Sequence, residues 1–222
     1  MINILANDCS TKRFILQILG RIFNPIGFLG PFIIRLKILL QELWIAEINW
    51  DNKLPFSLDY VSVAAYGCVI FLRRVTHDNR VIVKFARSKS RVTPLKLLTL
   101  APFGITRMFL IARLSKQVSK YLKFEAKCYF WANSNICAYW IKGKINNYKP
   151  FVKNRVREIQ NLTERYIWSH CPEKENPEYV LSIGIPASDL TKNSLWWHGP
   201  PWLSKPSELG QVKWKMTILS EI

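Results

Sequence analysis

The stretch "KCYFWAN" (Lys127–Asn133) runs without a break into "SNICAYWI" (Ser134–Ile141). It reads as a strand that turns directly into a short helix, with Asn133 at the junction. Working outward, the upstream sequence is strand-like. "FSLDYVSVAAYGCVIFLRRV" (56–75) is rich in β-branched and aromatic residues, "THDN" (76–79) is a turn, and "RVIVKFARS" (80–88) is another strand. Between this meander and Lys127, residues 99–122 predict a helix from about Phe103 onward.

Downstream, "KGKINNYKPFVKNRVREIQN" (142–161) reads as a basic loop followed by a helix, and "ERYIWSHCP" (164–172) as the last strand. "NPEYVLSIG" (176–184) predicts a helix with Pro177 at its first position and Gly184 at its end. "NSLWWHGPPWL" (193–203) is an aromatic and proline cluster. At the front, residues 11–23 predict a helix capped by Thr11, with Phe14, Ile15, Ile18, Leu19 and Ile22 on one face. "NPIGFLGP" (24–31) stops it, and residues 32–47 predict a second helix with a broad apolar stripe that includes Ile33, Leu36, Leu40 and Leu43. The order predicts a mixed α/β fold, a mixed sheet covered by helices.

Composition narrows the functional classes. Apolar residues make up 49% of the 222, enough for a sizeable core. The 32 Lys and Arg outweigh 15 Asp and Glu, and the resulting charge of +17 favours polyanionic partners, nucleic acid first and an anionic membrane surface second. The five cysteines form no C-x-x-C pair, which argues against a disulfide framework or structural zinc and suits a reducing compartment. The three histidines, His77, His170 and His198, are too dispersed for a His-based metal site or a Ser/His/Asp triad. The most apolar stretch (13–46) is broken by Arg21, Pro25, Pro31, Arg35 and Lys37, short of the roughly 20 apolar residues a membrane span needs. Polar residues before the first apolar run argue against a signal peptide, so the expected location is intracellular, in cytoplasm or nucleus.

Several stretches resemble, in order, the polyprotein of Bel/Pao retrotransposons. "TKRFILQILGRIFNPIGFLGPFIIRLKILLQELWIAEINWDNKLP" is similar to the segment between that family's polymerase palm and RNase H domain. "AAYGCVIFLRRV", "SKSRVTPLKLLTL" and "FLIARL" resemble the first half of its RNase H domain. "FWANSNICAYWI", "FVKNRVREIQ", "HCPEKENPEYVLSIG" and "NSLWWHGPPWL" resemble the second half and the linker toward integrase. The resemblance implies an RNase H-like sheet flanked by helices and preceded by an N-terminal helical segment. It divides the chain into a reverse transcriptase connection remnant (1–54), an RNase H-like domain with a shortened first strand (55–190) and a Trp/Pro-rich tail (191–222).

RNase H chemistry holds two Mg²⁺ ions about 4 Å apart on clustered carboxylates. Carried over position by position, the resemblance puts the first-strand Asp at Tyr60, the helix Glu at Gly104, the strand-end Asp at Asn133 and the last Asp at Tyr179. All four acids are replaced, so no metal site, no Mg²⁺ and no nuclease activity are expected. Asp59 and Glu178 adjoin two of these positions but point elsewhere on a strand or helix. The bulk of Tyr60 and Tyr179 is expected to fill the vacated pocket. Between Pro55 and Phe56 the family carries a longer stretch leading into its first strand. Its loss looks like an internal deletion that frays that strand.

Two basic clusters remain. Lys84, Arg87, Lys89, Arg91 and Lys96 form one, and Lys142, Lys144, Lys149, Lys153, Arg155 and Arg157 the other. Two readings stand side by side: both clusters meet phosphates, of an RNA/DNA hybrid or another nucleic acid, without reading sequence, or they are a solvated basic surface left over from the element. Two further readings compete. One is an active metal-dependent ribonuclease H using an unexpected metal site. The other is an interaction protein that exposes "LWWHGPPWL" with Trp196, Trp197 and Trp202 as anchors, although packing of the tail on the domain is the ordinary role for such residues.

Overall fold

The structure is a computed structural model that describes residues 11–54, 65–94, 100–163, 168–206 and 215–220; for 100–103 and 215–220 it describes the backbone alone. The first helices are α1 (Lys12–Arg21) and α2 (Gly30–Ile45), followed by a hairpin of β1 (Ala65–Val75) and β2 (Val81–Val92). Next come α3 (Leu100–Tyr121), β3 (Lys127–Ala132), α4 (Asn135–Lys142), α5 (Pro150–Leu162) and β4 (Trp168–His170). Three short helices, α6 (Tyr179–Ile183), α7 (Ala187–Lys192) and α8 (Ser194–His198), precede β5 (Lys215–Ser220). This is the mixed α/β architecture expected, an RNase H-like sheet flanked by helices behind an N-terminal helical segment.

Local chemistry explains most boundaries. The Thr11 hydroxyl accepts from the Phe14 N–H at 3.2 Å, and the Ser134 hydroxyl from the Cys137 N–H at 3.2 Å, capping α1 and α4. Pro31 sits in the first turn of α2, where its missing N–H costs nothing, so α2 begins at Gly30 rather than at 32 and ends at Ile45. In the 176–184 stretch, the Asn176 side chain accepts from the Glu178 N–H at 3.1 Å, which holds Pro177 outside the helix and delays α6 to Tyr179. Gly184, at φ +66°, ends α6 as expected.

The sheet order is β2-β1-β5-β3-β4. β1 is antiparallel to β2 and β5, whereas β3 is parallel to β4 and β5. β1 is buried on both faces, which is why it reads as a continuous apolar run. One face carries Cys68 and Ile70 against Ile105, Met108 and Ile111 of α3, Val156 and Ile159 of α5, and Phe130 stacked on Trp168 at 4.5 Å. The other carries Val69 and Phe71 against Leu181, Leu190, Trp196 and Leu203. Burying one such large side chain is worth about 1.5–3 kcal/mol, so this two-sided core dominates stability.

The N-terminal helices are tied to this body. Ile15, Leu36 and Leu43 form their own small core. Gly27, at φ +88°, lets the chain pass so close to Ser88 that an added Cβ would lie 2.4 Å from its carbonyl oxygen. Ser88 N–H donates to Ile26 O at 2.8 Å and its hydroxyl to Gly27 O at 2.7 Å. The Trp196 indole donates to Phe28 O at 3.0 Å.

Candidate functional site

Three of the four positions where the resemblance places carboxylates are described; Tyr60 lies outside the described residues. Gly104 is buried in the first turns of α3. Asn133 is half-buried, directly after β3 and before the cap of α4. Tyr179 opens α6 and is 39% exposed.

Glu178 adjoins Tyr179. It is fully buried, and its Oε1 accepts a hydrogen bond from the backbone N–H of Gly67 on β1. Gly67 permits this approach: an added Cβ would lie 2.7 Å from Lys89 O and 2.9 Å from Leu181 Cδ1. This hydrogen bond fastens the start of α6 on the sheet.

Arg107 is a cation that sequence reasoning missed. It lies on α3 one turn beyond Gly104, is only 6% exposed, and holds its guanidinium 5.9 Å from the Tyr66 ring centroid. Its charge reaches Cys137 of α4, where burial raises the thiol pKa while the Ser134 hydroxyl and Arg107 pull it down. The signal available was the i, i+3 spacing from Gly104, which puts both on one side of α3. A fixed guanidinium there opposes a dication electrostatically. Among the described residues no group of three or more His, Cys, Asp or Glu could hold a metal ion. The described donor set therefore does not fit paired Mg²⁺, which needs converging anionic oxygens.

The basic clusters are arranged by a strand irregularity. Ile70 pairs with Arg87 but Phe71 pairs with Phe85, leaving Ala86 as a bulge in β2. Without it, Lys84 and Arg87 would fall on opposite faces. With it, Lys84, Arg87, Lys89 and Arg91 pair with Leu72, Ile70, Cys68 and Tyr66, all on the α3 side of the sheet. Lys96 lies outside the described residues. Lys142, Lys144, Lys149, Lys153, Arg155 and Arg157 lie on α4, α5 and their connection, in the same helical layer. Lys142, Lys144, Lys149 and Arg157 are exposed and Lys153 is half-buried. Arg155 instead stacks over Phe109 at 4.4 Å and Phe151 at 5.4 Å. Exposed Lys116 and Lys120, four residues apart on α3, add charge to that layer and were not singled out from the sequence.

The Trp-rich cluster faces inward. Trp196 is fully buried, Trp197 donates to Leu190 O at 2.8 Å, and Trp202 lies 4.6 Å from Trp131 and donates to Glu175 at 2.8 Å. Two of the three proposed anchors are half-buried and one is core, which leaves no exposed tryptophan platform there. Cys68, Cys137 and Cys171 are free thiols. Among the described residues no helix is long and apolar enough to cross a membrane.

A five-stranded mixed sheet flanked by helices is consistent with an RNase H-like domain. The family model described as the Pao retrotransposon-like RNaseH-like domain matches residues 11–61 and 60–134, more than half of the chain, and the chain belongs to that family. No curated protein and no solved structure matches it.

Proposed function

We propose that this chain is a catalytically silent RNase H-like domain of a Pao-type retroelement that retains sequence-blind binding to nucleic acid. The observation that carries the reading is the chemistry at the expected metal positions. Gly104, Asn133 and Tyr179 offer no carboxylate, Glu178 is held by Gly67, and Arg107 brings a positive charge instead. One neutral amide oxygen cannot offset the repulsion between two dications.

The reading extends to the chain's origin. Residues 1–54 derive from the reverse transcriptase connection, 55–190 from the RNase H region and 191–222 from the approach to integrase. A nucleic-acid partner goes with an intracellular setting, cytoplasm or nucleus, in this reading. The partner is an RNA/DNA hybrid or another phosphate backbone, met by the lysines and arginines of the helical layer and the β2 edge. The +17 charge supports this, as does the gathering of both clusters on one side of the sheet. Incubation with an RNA/DNA hybrid and Mg²⁺ or Mn²⁺ tests the reading. Binding without cleavage is expected; metal-dependent cleavage above a mock preparation would defeat it.

A further inference from the structure

The central strand of the sheet comes from the far end of the chain. β5 (215–220) lies between β1 and β3 and pairs with both, Ile218 standing opposite Ile70 on one side and Phe130 on the other. One edge of β1 is taken by β2, so β5 occupies its only other edge. Yet the sequence reads as strand from Phe56, immediately before β1. A strand there that paired with β1 would have no place except the one β5 holds. The family model also matches in two segments that meet at residues 60–61, between the helical segment and β1.

We propose that the gap between β1 and β3 is a strand-acceptor site, and that the chain's own residues 215–220 fill it in place of the strand interrupted before β1. Main-chain hydrogen bonding to both neighbours supplies the affinity, as in β-strand addition, and the six-residue span matches the length of β3. Arg73 prepares the approach: buried on β1, it donates to Leu203 O and Lys205 O, each at 2.8 Å, and fixes the chain just before the tail. The replacement has a chemical consequence. Residues 215–220 contain no Asp or Glu, so the described part of the central strand brings no carboxylate; Glu221 lies outside the described residues.

Two experiments test the proposal. Opposed residues of antiparallel strands lie within disulfide range. The full chain carrying Ile70→Cys and Ile218→Cys, oxidised when dilute and mapped by peptide mass spectrometry, is expected to form a 70–218 disulfide within one molecule. A link only between molecules, a link from 218 to another cysteine, or none in a chain with unchanged circular dichroism would overturn the assignment. The full chain carrying Ile218→Pro cannot pair its own tail, because proline is not tolerated in a central strand. It is expected to capture a labelled peptide of residues 212–222, read by fluorescence anisotropy, and to regain slow amide exchange in β1 and β3. A folded variant that ignores the peptide, or an unfolded one that the peptide does not restore, would overturn the acceptor site.

Discussion

The Glu178 carboxylate accepts a hydrogen bond from the backbone N–H of Gly67, joining α6 to β1 across 111 positions of sequence. An acid that stands one residue from an expected metal-binding position is thereby a structural fastener. Glu178→Gln keeps an accepting oxygen and should change stability little. Glu178→Ala strands a buried donor and should cost about 1–3 kcal/mol in urea unfolding. Gly67→Ala should also destabilise, since the added methyl meets Lys89 O and Leu181.

Trp196 is fully buried and bonded to Phe28 O, so it joins the N-terminal helical segment to the second core. Trp196→Ala should cost about 3–5 kcal/mol in denaturant unfolding. Trp197→Ala, at a half-buried position, should cost less. Equal and small losses would contradict the packing described.

Burial, followed by the charge of Glu175, pushes the Cys171 thiol up to about 12 from 9.0. The unfolded thiol ionises first as pH rises, so its stabilising contribution is complete below pH ~9 and fades toward pH ~12. Thermal unfolding across that window should steepen its pH dependence in the wild type relative to Cys171→Ala. Parallel curves would contradict this. Cys68, also raised by burial and then by Glu178, acts in the same direction in both proteins.

Binding to a duplex should weaken linearly in log affinity against log salt. Each phosphate contact contributes a slope of about 0.9. Replacing Lys142, Lys144 and Lys149 by Gln should lower the slope and weaken binding to different sequences alike. Arg155→Gln should act mainly through lost stacking on Phe109, so its mark should be on stability.

Much of this fold is legible in sequence where the determinants are local. Thr11, the 76–79 turn and Gly184 mark their boundaries through backbone chemistry that needs no distant partner. The bulge at Ala86 was not legible, because it exists only in the register between β1 and β2. Nor was β5: "KMTILS" is a short run whose place in the sheet is set by β1 and β3, far away in sequence. At the site, residue types were legible and their uses were not. The sequence places Glu178 beside Tyr179 but cannot say that its carboxylate turns to Gly67. Arg107 passed as one cation among many until the fold buried it by Tyr66.

The account rests on the absence of a site for paired divalent cations at the end of β3. Its most direct test is a crystal of the full chain soaked in Mn²⁺, examined by anomalous scattering around Asn133. No ordered cation is predicted there. Two manganese ions a few ångströms apart beside Asn133 would contradict it.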